Sequence, residues 1–139
     1  MTGEYEHSID AKGRMFFPSK LREEIGAVFY VTKGLDNCLF VYSLADWKTI
    51  EEKIGMLPMS KSRNLQRTLF ASAARCELDG QGRILIPPKL RSYAGLTRDV
   101  TVIGASNRAE IWDRQRWFEI EQNELTGDNL ADSMDQLGF

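Results

Sequence analysis

Residues 79–87 read DGQGRILIP, and residues 10–18 read DAKGRMFFP. The two stretches share an aspartate, a glycine–arginine pair, a short apolar run and a closing proline. Sliding residues 10–26 forward by 69 positions lays them on residues 79–95 with eight identities. Asp10 meets Asp79, Gly13 meets Gly82, Arg14 meets Arg83, Pro18 meets Pro87, Lys20 meets Lys89, Leu21 meets Leu90, Arg22 meets Arg91 and Gly26 meets Gly95. After one inserted residue the offset becomes 70, and Gly34, Asn37 and Trp47 meet Gly104, Asn107 and Trp117, with Tyr42 against Trp112. Matches that survive an insertion indicate duplication, so the chain reads as two homologous halves.

The halves span about residues 5–58 and 74–125, joined by a polar connector at 59–73 and followed by an acidic tail at 126–139. Each parses alike. A lead-in strand (Tyr5–Ile9; Arg75–Leu78) enters the Asp-x-x-Gly-Arg turn. Glycine supplies the backbone freedom of a tight reversal, and the aspartate accepts loop N–H groups. A second strand (Arg14–Phe17; Arg83–Ile86) stops at proline, which also starts a short helix. Leu21 with Ile25, and Leu90 with Ala94, share a helix face at i,i+4. A hairpin follows (Val28–Thr32 with Cys38–Tyr42; Val100–Ile103 with Ala109–Trp112), then a closing helix, marked in the first half by Trp47, Ile50 and Ile54. The connector SKSRNLQRTLFASAA predicts one more helix, with Leu65, Leu69 and Phe70 as its apolar stripe. Beyond about residue 125 no steady period continues, which predicts a frayed or flexible tail.

One half is too small to bury a convincing core, and its short strands would leave raw sheet edges. Interleaving the strands of both halves into one closed barrel answers both difficulties. The predicted fold class is therefore α+β, mainly β: one barrel built from two internal repeats with short flanking helices.

Composition narrows the function. The chain has 139 residues and a net charge of −2, with no apolar run long enough to span a membrane. Its N-terminus, MTGEYEHSID, lacks the basic and apolar regions of a secretory signal, so a cytoplasmic protein is expected. Residues 113–139 hold seven acids and two bases, whereas residues 1–112 hold sixteen bases and thirteen acids. The body is thus mildly basic and admits an anionic partner. One histidine, and two cysteines far apart, make a zinc site or a histidine-dependent triad improbable and read as reduced, partly buried thiols. Neither a Walker-type loop nor a dinucleotide-binding glycine fingerprint is present. No catalytic set, metal, cofactor or small-molecule substrate is expected.

The stretches GEYEHSIDAKGR, DGQGRILIPPKLR and SNRAEIW resemble the bacterial MraZ family, whose halves are similar to the AbrB-type swapped-hairpin DNA-binding superfamily. The resemblance runs from residue 3 to about 122. It implies a double-split, swapped-hairpin β-barrel, and a ring-shaped homo-oligomer associated with the nucleoid. It also implies a regulator that binds direct repeats in the promoter of its own division and cell-wall operon, in the manner of a repressor. By position it marks Asp10, Arg14, Asp79 and Arg83 on the DNA-facing surface, and Arg22 and Arg91 near DNA.

The residues themselves leave two readings of the arginines open. Arg14 and Arg83 can fork onto phosphate or the O6/N7 edge of guanine, or they can pair with Asp10 and Asp79 in the turn; an aspartate could also orient an arginine that still presents its outer N–H groups. Asp10, Gly13, Asp79 and Gly82 shape the turns. Lys12 and Gln81 sit at the tips, able to touch DNA or simply solvated. Lys20, Arg22, Lys89 and Arg91 are expected on the outer helix faces, opposite the leucines, either as phosphate anchors or as a solvated face. Lys61, Arg63 and Arg67 read as a solvated helix face or subunit contact, and the three tryptophans as core or interface. The partner predicted is double-stranded DNA. The alternative is an oligomeric scaffold for proteins with no direct DNA contact.

Overall fold

The computed structural model describes residues 1–138. The same order of elements occurs twice. β1 (Glu4–Ser8), β2 (Arg14–Phe16), α1 (Ser19–Ile25), β3 (Val28–Lys33), β4 (Leu39–Ser43) and α2 (Leu44–Gly55) are followed by α3 (Met59–Leu69). Then come β5 (Ala74–Glu77), β6 (Arg83–Leu85), α4 (Pro88–Ala94), β7 (Asp99–Gly104), β8 (Ala109–Asp113) and α5 (Arg114–Asn123), followed by α6 (Gly127–Gln136).

Local chemistry sets these boundaries. Pro18 and Pro87 end β2 and β6 and lead into α1 and α4, whose leucines, Leu21 and Leu90, are buried. Ser43 Oγ accepts the Asp46 N–H at 3.1 Å and caps α2; Asp113 accepts the Arg116 N–H at 3.1 Å and caps α5. The repeat therefore extends to matched helix caps, with serine in one copy and aspartate in the other.

The strands exchange partners between the repeats. A six-stranded antiparallel sheet runs in the order β1-β7-β8-β4-β3-β5, and β2 pairs with β6 in a separate two-stranded ribbon. β1 thus adds to a hairpin of the second repeat, and β5 to a hairpin of the first. The registers reveal a pseudo-two-fold axis. In the ribbon Met15 faces its repeat counterpart Ile84; in the sheet Phe40 faces its counterpart Glu110. One axis passes between both pairs.

The fold is α+β, as expected, with a wholly antiparallel sheet; against expectation, helical residues outnumber strand residues and the ladders do not close into a barrel. β1 and β5 are the outer strands of an open sheet. The chain turns from β1 into β2 through an isolated bridge, Ile9 to Met15, and a backbone bond from Asp10 N–H to the Arg14 carbonyl at 2.9 Å. The strands β2 and β6 are three residues long and stop at proline, so no continuous ladder joins ribbon to sheet.

Between ribbon, short helices and sheet lies one apolar core. Met15, Phe17, Ile84 and Ile86 from the ribbon segments meet Phe29, Val31, Val41, Val102 and Ile111 from the sheet. Phe17 and Phe29 lie ring to ring at 5.1 Å. A second aromatic group packs Trp47 against Tyr30, Tyr42 and Phe70, and a third pairs Trp112 with Trp117. Trp47 and Trp112 are buried. Both cysteines are free and buried; burial pushes the Cys76 thiol up to about 11, and Cys38 higher still.

Two expectations need correction. The segment after residue 125 is helical: Thr126 Oγ1 accepts the Asn129 N–H and caps α6. Leu130, Met134 and Leu137 follow one another at helical spacing, yet no residue of α6 is buried, so the helix rests on local hydrogen bonding. Residue 139 of that tail lies outside the described residues. On α3 the expected stripe only partly packs. Leu69 and Phe70 are half-buried, Leu65 faces solvent, and Ser62 takes the buried position.

Phe17→Ala should lower stability by about 3–5 kcal/mol in urea unfolding, because the void would open where ribbon and sheet meet. Neither thiol should react with a disulfide reagent at pH 8 until the chain unfolds, since desolvation disfavours both thiolates.

Candidate nucleic-acid interface

Each Asp-x-x-Gly-Arg turn is organised by its own carboxylate. Asp10 Oδ1 accepts the backbone N–H groups of Lys12 at 3.0 Å and Arg14 at 2.9 Å, while Oδ2 accepts Arg14 Nε at 2.9 Å. Asp79 repeats the pattern with Gln81 at 2.9 Å, Arg83 at 2.8 Å and Arg83 Nε at 2.9 Å. Both carboxyls are held below the ordinary aspartate value of 3.8. The largest cause is the backbone N–H of the arginine; desolvation, next in size, opposes it, and the guanidinium and the backbone N–H of Lys12 or Gln81 add to the lowering. The pairing in the turn is thus present, through Nε only, and it does not occupy the outer N–H groups that the other reading requires. Neither Nη group of either arginine has a hydrogen-bond partner among the described residues.

The ribbon places these groups together. Arg14 stands opposite Leu85, and Arg83 opposite Phe16. Side chains alternate across a strand, so Arg14, Phe16, Arg83 and Leu85 share the outer face while Met15 and Ile84 point into the core. Arg14, Phe16 and Arg83 line one shallow hollow together with Asp10. The tips, Lys12 and Gln81, are exposed at opposite ends of the ribbon, because the strands are antiparallel.

Arg22 and Arg91 lie elsewhere than on the outer helix face expected for them. Both are half-buried, and each runs beneath the turn of the other repeat. Arg22 Nε donates to the Phe17 carbonyl at 2.9 Å, and Nη2 to the Gly82 carbonyl at 3.4 Å. A Cβ at Gly82 would stand 2.4 Å from the Arg22 guanidinium, and one at Gly13 would stand 2.7 Å from that of Arg91. Both glycines also hold positive φ, 86° at Gly13 and 80° at Gly82. The turn needs glycine for its backbone, and the crossing arginine needs it for room. Lys20 and Lys89 do face solvent, as do Lys61, Arg63 and Arg67 on α3.

Sequence reasoning missed Phe16 and Leu85. The apolar runs around them are unbroken, so which face they occupy emerges only from the β2–β6 pairing. They are 47% and 58% exposed beside the two arginines. Glu110 is a buried structural acceptor for Arg108 and the Trp112 indole. Among the described residues no group of three or more His, Cys, Asp or Glu side chains could hold a metal ion. No helix of the described residues is long and apolar enough to cross a membrane.

Comparison with known proteins matches this chain twice to one family, described as "MraZ protein, putative antitoxin-like", over residues 1–68 and 69–137. Proteins called transcriptional regulator MraZ are similar along the whole length. The protein from Thermoanaerobacter sp. (strain X514) is 50% identical, covering 100% of this chain and 99% of its own. That from Acetivibrio thermocellus is 50% identical, covering 99% and 98%. That from Pediococcus pentosaceus is 48% identical, also covering 99% and 98%.

The depressed carboxyl values set a pH window. The ionised aspartates stabilise the turns fully above the ordinary aspartate range, and that contribution is lost as pH falls through their lowered values. Carboxyl-carbon NMR titration should give both Asp10 and Asp79 midpoints below 3.8. Arg14→Ala should raise the Asp10 midpoint only part-way, since the backbone N–H remains, and should leave Asp79 unmoved.

Proposed function

The chain belongs to the MraZ family, and from that premise we propose that it is a sequence-specific DNA-binding transcriptional regulator that acts through the β2–β6 ribbon. It represses its own division and cell-wall operon by binding promoter direct repeats as a ring-shaped homo-oligomer. It works in the cytoplasm, on the nucleoid, and uses no cofactor. The observation that carries this reading is the sharing of one ribbon face by two arginines whose Nη groups are uncommitted. A two-stranded ribbon fits the major groove, and a guanidinium fits the guanine O6/N7 edge. The exchange of β1 and β5 between repeats supports a swapped-hairpin origin for this surface.

In the proposed complex Arg14 and Arg83 read bases, and Lys12 and Gln81 reach the backbone or flanking bases from the tips. Asp10 and Asp79 aim the arginines: with Nε held, a long side chain loses less freedom on binding. Gly13 and Gly82 let the turns close tightly. Arg22 and Arg91 lend positive charge from beneath the turns and hold them in place. The repeats divide at the connector and tail, with 5–58 and 74–125 each supplying one turn.

One ribbon offers few contacts, so a single subunit binds weakly and with strong salt dependence. A ring engaging several repeats gains effective concentration without new kinds of contact. Exposed Met56 and Met59, Leu130 and Met134 on α6, and Leu137 just after it support the presence of subunit contacts. Those same exposed groups favour the second reading, a protein scaffold whose basic turns never meet DNA.

Electrophoretic mobility shift separates the two. Arg14→Ala and Arg83→Ala should each weaken binding to repeat-bearing promoter DNA by about 1–3 kcal/mol, with circular dichroism and particle mass unchanged. Binding should rise steeply with the number of repeats and collapse when their spacing is shuffled. Unchanged affinity in folded, assembled variants would establish the scaffold.

A further inference from the structure

The outer face of the ribbon carries four side chains in a checkerboard, arginine and apolar residue alternating both along and across the strands. Along β2 the order is Arg14 then Phe16; along β6 it is Arg83 then Leu85; across the ribbon Arg14 faces Leu85 and Phe16 faces Arg83. The core has no need of the apolar pair. Met15, Phe17, Ile84 and Ile86 fill the inner side at 0–1% exposure, while Phe16 and Leu85 stand in water. A surface built only to hold phosphate would place donors at these positions, since phosphate oxygens offer nothing to an aromatic ring or a branched alkyl group. The major groove offers one apolar feature at a base edge, the 5-methyl group of thymine.

Resting on the DNA-binding reading above, we propose that Phe16 and Leu85 are specificity-determining residues that cover thymine 5-methyl groups in the major groove. Each recognises the thymine next to the base taken by its cross-strand arginine. The spacing suits this. Facing side chains in an antiparallel pair stand about 4.5–5.5 Å apart at Cβ, and neighbouring bases rise by about 3.4 Å. An arginine and its cross-strand apolar neighbour therefore address successive base pairs rather than one. Phe16, Arg14 and Arg83 border one hollow on this face, with Asp10 at its rim, so the aromatic and both arginine side chains are within reach of one bound edge. The two ends of the ribbon are unequal, leucine and lysine against phenylalanine and glutamine, so the site recognised has a direction.

The test is fluorescence-anisotropy titration of the full chain against a duplex carrying its own promoter repeats, made with thymine or with deoxyuridine throughout the repeats. Deoxyuridine removes the methyl group and keeps base pairing. The wild-type protein should lose about fourfold in affinity for each methyl group no longer covered. Phe16→Ser and Leu85→Ser should bind the thymine duplex more weakly, and the double variant should bind both duplexes alike. Phe16→Leu, which keeps an apolar cover, should retain the preference for thymine. Tight wild-type binding that ignores the methyl group would overturn this assignment and leave the DNA-binding reading standing. A serine variant of altered particle mass would overturn it in favour of a subunit contact. Failure of the wild type to bind either duplex would overturn both readings.

Discussion

Three residues of β2 lie against three residues of β6, and on that short pairing the rest of the molecule leans. Met15 and Ile84 meet at its centre and point inward as the lid of the core; Arg14, Phe16, Arg83 and Leu85 point outward. Neither repeat can make the ribbon alone, because each supplies one strand. Nor can either complete its share of the sheet, since β1 and β5 are lent to the opposite hairpin. Burial of the core and presentation of the outer face are two sides of the same contact.

The turns that flank the ribbon are held by charge used economically. One carboxylate oxygen gathers two backbone N–H groups and the other takes an arginine Nε, so the loop and its long side chain are fixed by the same residue. The arrangement is solvent-exposed, where an ion pair alone contributes little. Its strength lies in the backbone bonds, which the lowered aspartate values also reflect. Beneath each turn an arginine from the other repeat crosses over a glycine that leaves it room. Deforming one turn therefore presses on the helix of the other repeat.

What could be seen in the sequence was what is local. The Asp-x-x-Gly-Arg geometry spans five residues, and its chemistry can be read from residues 10–14 without knowing the fold. The proline stops and the closing helices are equally local. The exchange of strands was anticipated only as a need to cover edges; alternation along β1 or β5 is the same whether they pair at home or across. Arg22 was expected on an exposed helix face because its partner, Gly82, lies sixty positions away. The outward face of Phe16 was hidden in the unbroken run Met15–Phe16–Phe17, where period-two alternation has no polar residue to mark it. The α6 helix escaped notice because only Leu130 and Met134 mark its spacing, too short a run to set a period, and among the described residues none covers them.

The exchange of strands also governs when the molecule can come into being. Glu4 finds its partner in Ile103, and Ser8 in Asp99, so the first strand made at the ribosome must wait for one of the last. Until β6 emerges, β2 has nothing to lie beside, and until β7 and β8 follow, β1 has no hairpin to join. A nascent chain cut short within the second repeat would hold exposed apolar strands and no finished unit, which is the state most open to aggregation or proteolysis. Completion of the fold is thereby deferred until the second hairpin has been made.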